Sequence, residues 1–190
     1  MSTGAGTVVM PMAYPLDDFY AQARRPLPAI VAINGAEMPE PYRTLLVHEA
    51  DMTPTLQKFF DEEIHLRVLN SQQREDAYYR EVALLLDRSN TAVEFGAIKI
   101  NLNLFPTAAR KAILDENLPL GRVLADFRIK HTSRPKAYLK IRSDDFINEA
   151  LGLRSAQTLY GRRNTLYNPQ QRPLAEIVEI LPKIPADQNA

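Results

Sequence analysis

The chain has 190 residues, 45% of them apolar and 24% charged, enough to bury one sizeable core and too few for two full domains. Its 23 Lys and Arg balance 23 Asp and Glu, which leaves no global positive field to hold nucleic acid or an anionic membrane, so any anion must be gripped locally. Cysteine is absent; disulfides, thiolate metal sites and a cysteine nucleophile are thereby excluded, in keeping with a reducing, cytoplasmic setting.

The opening from Met1 to Met10 has neither a basic start nor a continuous apolar core and does not read as a secretory leader. No stretch approaches the ~20 apolar residues that span a bilayer, so no membrane partner is expected. Residues 1–40 carry Pro11, Pro15, Pro26, Pro28 and Pro39 and predict a loop-rich arm, with helical periodicity only around Leu16 to Arg24. Within it, Ala29 to Ile33 before Asn34-Gly35 could pair as a strand. A short helix is expected from Tyr42 to Ala50. Thr53-Pro54 then reads as a helix cap followed by proline at the first helical position, with Leu56, Phe59 and Phe60 at helical spacing.

Ile64, Leu66 and Val68 alternate with polar neighbours, as in a half-buried strand. Tyr78 to Leu86 and Val93 to Leu102 flank the turn-rich Asp87-Arg88-Ser89-Asn90 and predict a β-hairpin. Helices are expected after Pro106 and from Pro119 to Ala125. Phe127 to Ile141 looks extended but broken at Thr132-Ser133-Arg134-Pro135. Residues 144–151 form a short helix closed by Gly152, and Thr158 to Tyr167 with Leu174 to Leu181 make a final strand pair. The tally is about six strands and four or five short helices, joined mostly by hairpins, which argues an α+β fold on an antiparallel sheet. The domain is placed at 41–182, after the Pro-rich arm 1–40 and before a tail at 183–190. No heptad or long apolar stripe demands a partner subunit, so a monomer or weak homo-oligomer is expected.

His48, His65 and His131 are too scattered for a metal site and read as structural. Arg80 sits among Tyr78, Val82, Leu84 and Leu86, on the same face of its strand as these residues. A guanidinium on a buried face needs an anion, either a structural carboxylate or the carboxylate of a ligand. Glu179, between Val178 and Ile180, poses the mirror problem; Glu176 falls on the opposite face, and one of the two should point inward. The consecutive Arg162 and Arg163 diverge to opposite faces, at least one toward solvent. Pro119-Leu120-Gly121 offers backbone N–H groups at a helix start.

Taken together, Asp51-Met52-Thr53, Tyr79-Arg80-Glu81, Pro119-Leu120-Gly121-Arg122-Val123-Leu124, Gly161-Arg162-Arg163 and Pro173-Leu174 through Glu179-Ile180-Leu181-Pro182 resemble chorismate pyruvate-lyase, in the family's order, from about Tyr42 to Pro182. The resemblance implies a six-stranded antiparallel sheet flanked by short helices, with the ligand enclosed under two flaps. It implies a lyase that converts chorismate to 4-hydroxybenzoate and pyruvate without metal or organic cofactor. Arg80 would anchor the ring carboxylate and Glu179 engage the ring hydroxyl, as the catalytic pair. Met52, Thr53, Leu120 and Gly121 would close the site from the flaps. Where family members often have Gly-Arg this chain has Gly96-Ala97, and Lys99, on the same face as Ala97, is a candidate substitute. The same fold also serves as the ligand-sensing domain of bacterial regulators, which leaves a non-catalytic binder or sensor of small aromatic acids as the alternative. Such regulators carry a helix-turn-helix upstream, for which the arm 1–40 is too short and broken, and this favours the enzyme.

Overall fold

Apolar residues alternate or run continuously through the strand segments, and in the computed structural model, which describes residues 11–184, they assemble one antiparallel sheet. The strands are β1 (Ile30–Ile33), β2 (Ile64–Arg74), β3 (Ala77–Leu86), β4 (Ala92–Asn101), β5 (Thr132–Arg142), β6 (Thr158–Tyr167) and β7 (Pro173–Leu181), in the order β1-β5-β6-β7-β4-β3-β2. The helices are α1 (Leu16–Gln22), α2 (Tyr42–Leu46), α3 (Met52–Phe60), α4 (Thr107–Leu114), α5 (Leu120–Asp126) and α6 (Asp145–Leu151). β3, β4 and β7 are buried almost throughout, the pattern of strands covered on both faces. Leu16, Phe19 and Tyr20 of α1 and Ile147 and Leu151 of α6 cover one face. α4 and α5 cover the other, continued by α2 and α3.

The α+β architecture is as expected, with seven strands instead of six. The additional strand is β1, whose Ile30 to Ile33 pair with Ile141 to Tyr138 of β5. The expected arm is therefore packed onto the sheet from residue 11, through α1 and β1. Met1 to Met10, where no leader was read, and residues 185–190 of the expected tail lie outside the described residues. Ile184 is buried, and its N–H donates to the Tyr42 hydroxyl at 3.0 Å, fastening the segment after β7 beside α2.

Two local expectations change. Helix α3 starts two residues early, with Asp51 at the cap position and Pro54 third in the helix; a proline is tolerated there because the first-turn N–H groups have no intrahelical acceptor. Thr132 to Pro135 do not interrupt β5, because Pro135 sits at a bulge between Pro135 and Ala137, where a missing N–H takes nothing from the ladder. Helix α6 is closed by Gly152 as read, at a left-handed φ of 67°, while Asp144 lies just outside it as the cap, accepting from the Ile147 N–H at 2.9 Å.

Candidate functional site

Strand register decides which side chains meet. Arg80 on β3 lies opposite Ile98 on β4, which faces Ile177 on β7, which faces Asn164 on β6. One pleat further along, Val82, Gly96, Glu179 and Arg162 form the next row. Both rows point to the same side of the sheet, beneath the starts of α3 and α5. A cavity lies between them, lined by Arg80, Glu94, Asn164 and Glu179 among aliphatic side chains, with Met52, Thr53, Pro119, Leu120 and Gly121 above.

Arg80 is 0% exposed. Its Nη2 donates to the Leu118 carbonyl at 3.4 Å, while Nε and Nη1 have no acceptor among the described residues. Burial pushes the guanidinium below its ordinary pKa, only partly opposed by nearby Tyr78 and Glu116. Those two bond to each other, the Tyr78 hydroxyl donating to the Glu116 carboxylate.

Glu179 is equally secluded but not free. Arg162 Nε donates to its Oε2 at 2.5 Å. The same guanidinium donates to the carbonyls of Leu46 at 3.3 Å, His48 at 2.9 Å and Ala50 at 3.0 Å. Arg162 thus pins residues 46–50, the connection between α2 and α3, to the sheet. Both expectations for this strand pair change. Arg162 is buried, Arg163 is only 12% exposed instead of facing solvent, and both glutamates are buried, because each face has its own basic partner: Arg162 for Glu179, and Arg163 at 3.6 Å with Thr165 at 2.7 Å for Glu176.

Glu94 and Asn164 were not singled out from the sequence. Glu94 is 3% exposed, and its Oε2 has no partner among the described residues. Burial first, then the charge of Glu179, push its carboxyl well above the usual range, with Arg162 opposing. Asn164 donates to Ser133 Oγ at 2.8 Å and leaves its Oδ1 unused. The signal was present: Glu94 shares the parity of Gly96 and Ile98 within an otherwise apolar run, as Asn164 does with Arg162 and Leu166.

The covering segments touch each other. A Cβ on Gly121 would lie 2.9 Å from Thr53 Oγ1, so glycine there lets the starts of α3 and α5 close over the cavity. His131 adds a clasp. Its Nε2 lies 2.9 and 3.0 Å from the two Asp51 carboxylate oxygens, and its Nδ1 is 2.8 Å from the Ile129 carbonyl. With acceptors on both ring nitrogens, the imidazole's pKa is raised, chiefly by the bond to Asp51.

Lys99 is not part of this arrangement. Like Ala97 it points to the opposite face, opposite Tyr79 and Glu176 in register, with its ammonium 5.8 Å from the Tyr14 ring centre and 6.0 Å from that of Tyr79. The pleat that aims Gly96 and Ile98 at the cavity aims residues 97 and 99 away, so Lys99 supplies no second anion contact. Arg128, Lys130 and Arg134 are exposed. No cluster of three His, Asp or Glu suited to a metal ion occurs among the described residues, nor any helix long and apolar enough to cross a membrane.

No protein-family model matches the chain, and no curated protein matches it. Solved structures do share its fold. The possible transcriptional regulator YydK from Bacillus subtilis subsp. subtilis str. 168 superposes with a TM-score of 0.53 at 10% identity, over 91% of this chain and 84% of that one. PhnF from Mycobacterium smegmatis gives 0.53 at 10% identity over 76% and 67%, and the effector domain of PhnF gives 0.52 at 11% over 69% and 87%. The chain has the chorismate lyase-like α+β fold that these proteins share.

The expected enzyme does not stand. The structures named above are those of a possible transcriptional regulator and of an effector domain, and nothing in the comparisons supports chorismate, 4-hydroxybenzoate or pyruvate as its chemistry. In the cavity, Oε2 of the Glu179 carboxylate expected to engage a ring hydroxyl accepts from Arg162 Nε.

Proposed function

We propose that the chain is a non-catalytic binding or sensing domain for a small organic acid whose carboxylate docks on Arg80. The observation that carries this reading is the guanidinium itself, 0% exposed with two nitrogens lacking acceptors. An uncompensated buried charge costs several kcal/mol, and a ligand carboxylate supplies the missing acceptors and the countercharge together. One guanidinium balances one negative charge. The aliphatic walls, among them Val82, Ile98, Leu120, Leu124 and Leu166, suit a compact apolar body such as a single ring.

Enclosure supports binding over surface recognition, since Met52, Thr53, Leu120 and Gly121 cover the cavity and Arg162 and His131 hold the cover down. The sensing half of the proposal draws support from the fold shared with the PhnF effector domain and YydK. Cytoplasmic residence fits the cysteine-free composition.

Isothermal titration calorimetry with benzoate tests the reading. Wild-type protein should bind, and Arg80→Met should lose about 2–5 kcal/mol, the range for truncating one partner of a buried charged hydrogen bond, or roughly 30- to 4000-fold in affinity. Equal affinity in the two proteins, or no binding of benzoate to either, would overturn it.

A further inference from the structure

The polar groups of the cavity fall into two ends. Arg80 has Tyr78, Leu118 and Glu116 around it. Glu94 has Glu179 and Arg162 as its charged neighbours. Along β4, Glu94 is four residues from Ile98, the residue opposite Arg80, which is roughly 14 Å of strand.

Counting charges at the Glu94 end gives two acids and one base. Arg162 is fully engaged, with Nε on Glu179, Nη1 on the Leu46 and His48 carbonyls and Nη2 on the Ala50 carbonyl, and it makes no ion pair with Glu94. If both acids were ionised, one buried negative charge would stand uncompensated beside another. Glu179 holds the ion pair, so Glu94 is the member that keeps its proton.

The Glu94 carboxyl is also placed to meet a ligand. It lies across Gly96, where a Cβ would come within 3.3 Å of Oε1; the absent side chain lets the acid lean over the cavity floor. Oε2 is buried without a partner. A protonated carboxyl is a hydrogen-bond donor, and one buried in an apolar cavity with an unused oxygen is poised to donate to a ligand acceptor.

Resting on the carboxylate-site reading above, we infer that Glu94 is a specificity-determining residue: its carboxylic acid donates to a neutral oxygen at the far end of the ligand and, with Glu179 behind it, rejects a second anionic group. The ligand class is then a monocarboxylic acid carrying a carbonyl, ether or similar neutral acceptor remote from the carboxylate, and dicarboxylic acids are excluded.

Three probes separate these features in calorimetry at pH 7: benzoate, 4-acetylbenzoate with one carboxylate and a para carbonyl, and terephthalate with two carboxylates. Wild-type protein should bind 4-acetylbenzoate roughly tenfold more tightly than benzoate, the worth of one good hydrogen bond, and terephthalate roughly a hundredfold more weakly than 4-acetylbenzoate, because like charges are then buried together. Glu94→Gln keeps a donor in the same shape and should preserve that order. Glu94→Leu should abolish the preference for 4-acetylbenzoate over benzoate, with circular dichroism reporting that the variant is folded. Infrared difference spectra of wild type minus Glu94→Gln should show a protonated carboxyl band at pH 7, a readout independent of any ligand. Terephthalate binding as tightly as 4-acetylbenzoate, an unchanged preference in Glu94→Leu, or no such band overturns the role of Glu94 and leaves the Arg80 site standing. Failure of wild type to bind any of the three overturns both.

Discussion

Replacing Arg80 by methionine should stabilise the ligand-free protein even as it removes the anion anchor. Arg80 is wholly buried, and its one hydrogen bond among the described residues, to the Leu118 carbonyl, is 3.4 Å long, beyond the usual range of about 2.7–3.2 Å. Its Nε and Nη1 contribute nothing in return for their lost hydration. Glu116, the acid acting on it, is half-buried, already accepts from the Tyr78 hydroxyl and makes no ion pair with Arg80, so its attraction offsets the burial only in part. Exchanging a buried, poorly compensated charge for an apolar side chain of similar length stabilises by about 1–4 kcal/mol. At roughly 2–4 °C per kcal/mol for a domain of this size, the melting temperature should rise by several degrees. Differential scanning calorimetry without ligand measures this, and a second scan with saturating benzoate should raise the melting temperature of wild type but not of the variant. A variant that melts several degrees lower without ligand would refute the reasoning, because Arg80 would then have a satisfied partner inside the fold.

Glu179→Ala strips the buried Arg162 of its counterion and should cost about 3–5 kcal/mol in urea unfolding; a loss below about 1 kcal/mol would mean that the three carbonyl acceptors suffice. Gly121→Ala places a methyl 2.9 Å from Thr53 Oγ1 and should destabilise by about 1–3 kcal/mol, with part of the loss recovered in the double variant that also carries Thr53→Gly; strictly additive losses would contradict contact between the two helix starts. His131 has a folded-state pKa raised above its free value of about 6.5. Its clasp on Asp51 therefore contributes stability fully below that value and loses it as pH rises through the folded-state pKa. NMR titration of the His131 ring protons should show the raised pKa in wild type and its return toward about 6.5 in Asp51→Asn; identical curves would show that the clasp is not formed in solution.

Most of the sheet was legible because β2, β3, β4, β6 and β7 advertise themselves by alternation or by apolar runs bounded by turn residues. β1 was less so. Its Ile30 to Ile33 are only four residues inside a proline-rich stretch, and tertiary pairing with β5, not local propensity, makes them a strand. Arg80 and Glu179 could be found by a simple test, a charge at core parity within an apolar run. The same test applied to β4 would have found Glu94, and widened from charges to amides it would have found Asn164 on β6. What a single strand cannot reveal is partnership. Glu179 looked like the polar handle for a ligand, but register across β6 and β7 gives it to Arg162. Lys99 looked like a replacement anchor because it shares a face with Ala97, but which face holds the cavity depends on where α3 and α5 land. The enzyme expectation failed for a related reason: short motifs that set the cover and the buried arginine belong to a fold that regulators also use, and they do not by themselves specify turnover.

The central claim, that a ligand carboxylate completes the buried Arg80, is tested most directly by NMR of the arginine side-chain Nε–H in protein titrated with benzoate. The account predicts that one Nε–H signal, absent in Arg80→Met, shifts downfield in step with calorimetric saturation as the carboxylate accepts its hydrogen bond. An Arg80 signal that stays in place while benzoate binds would contradict it, since the ligand would then sit elsewhere.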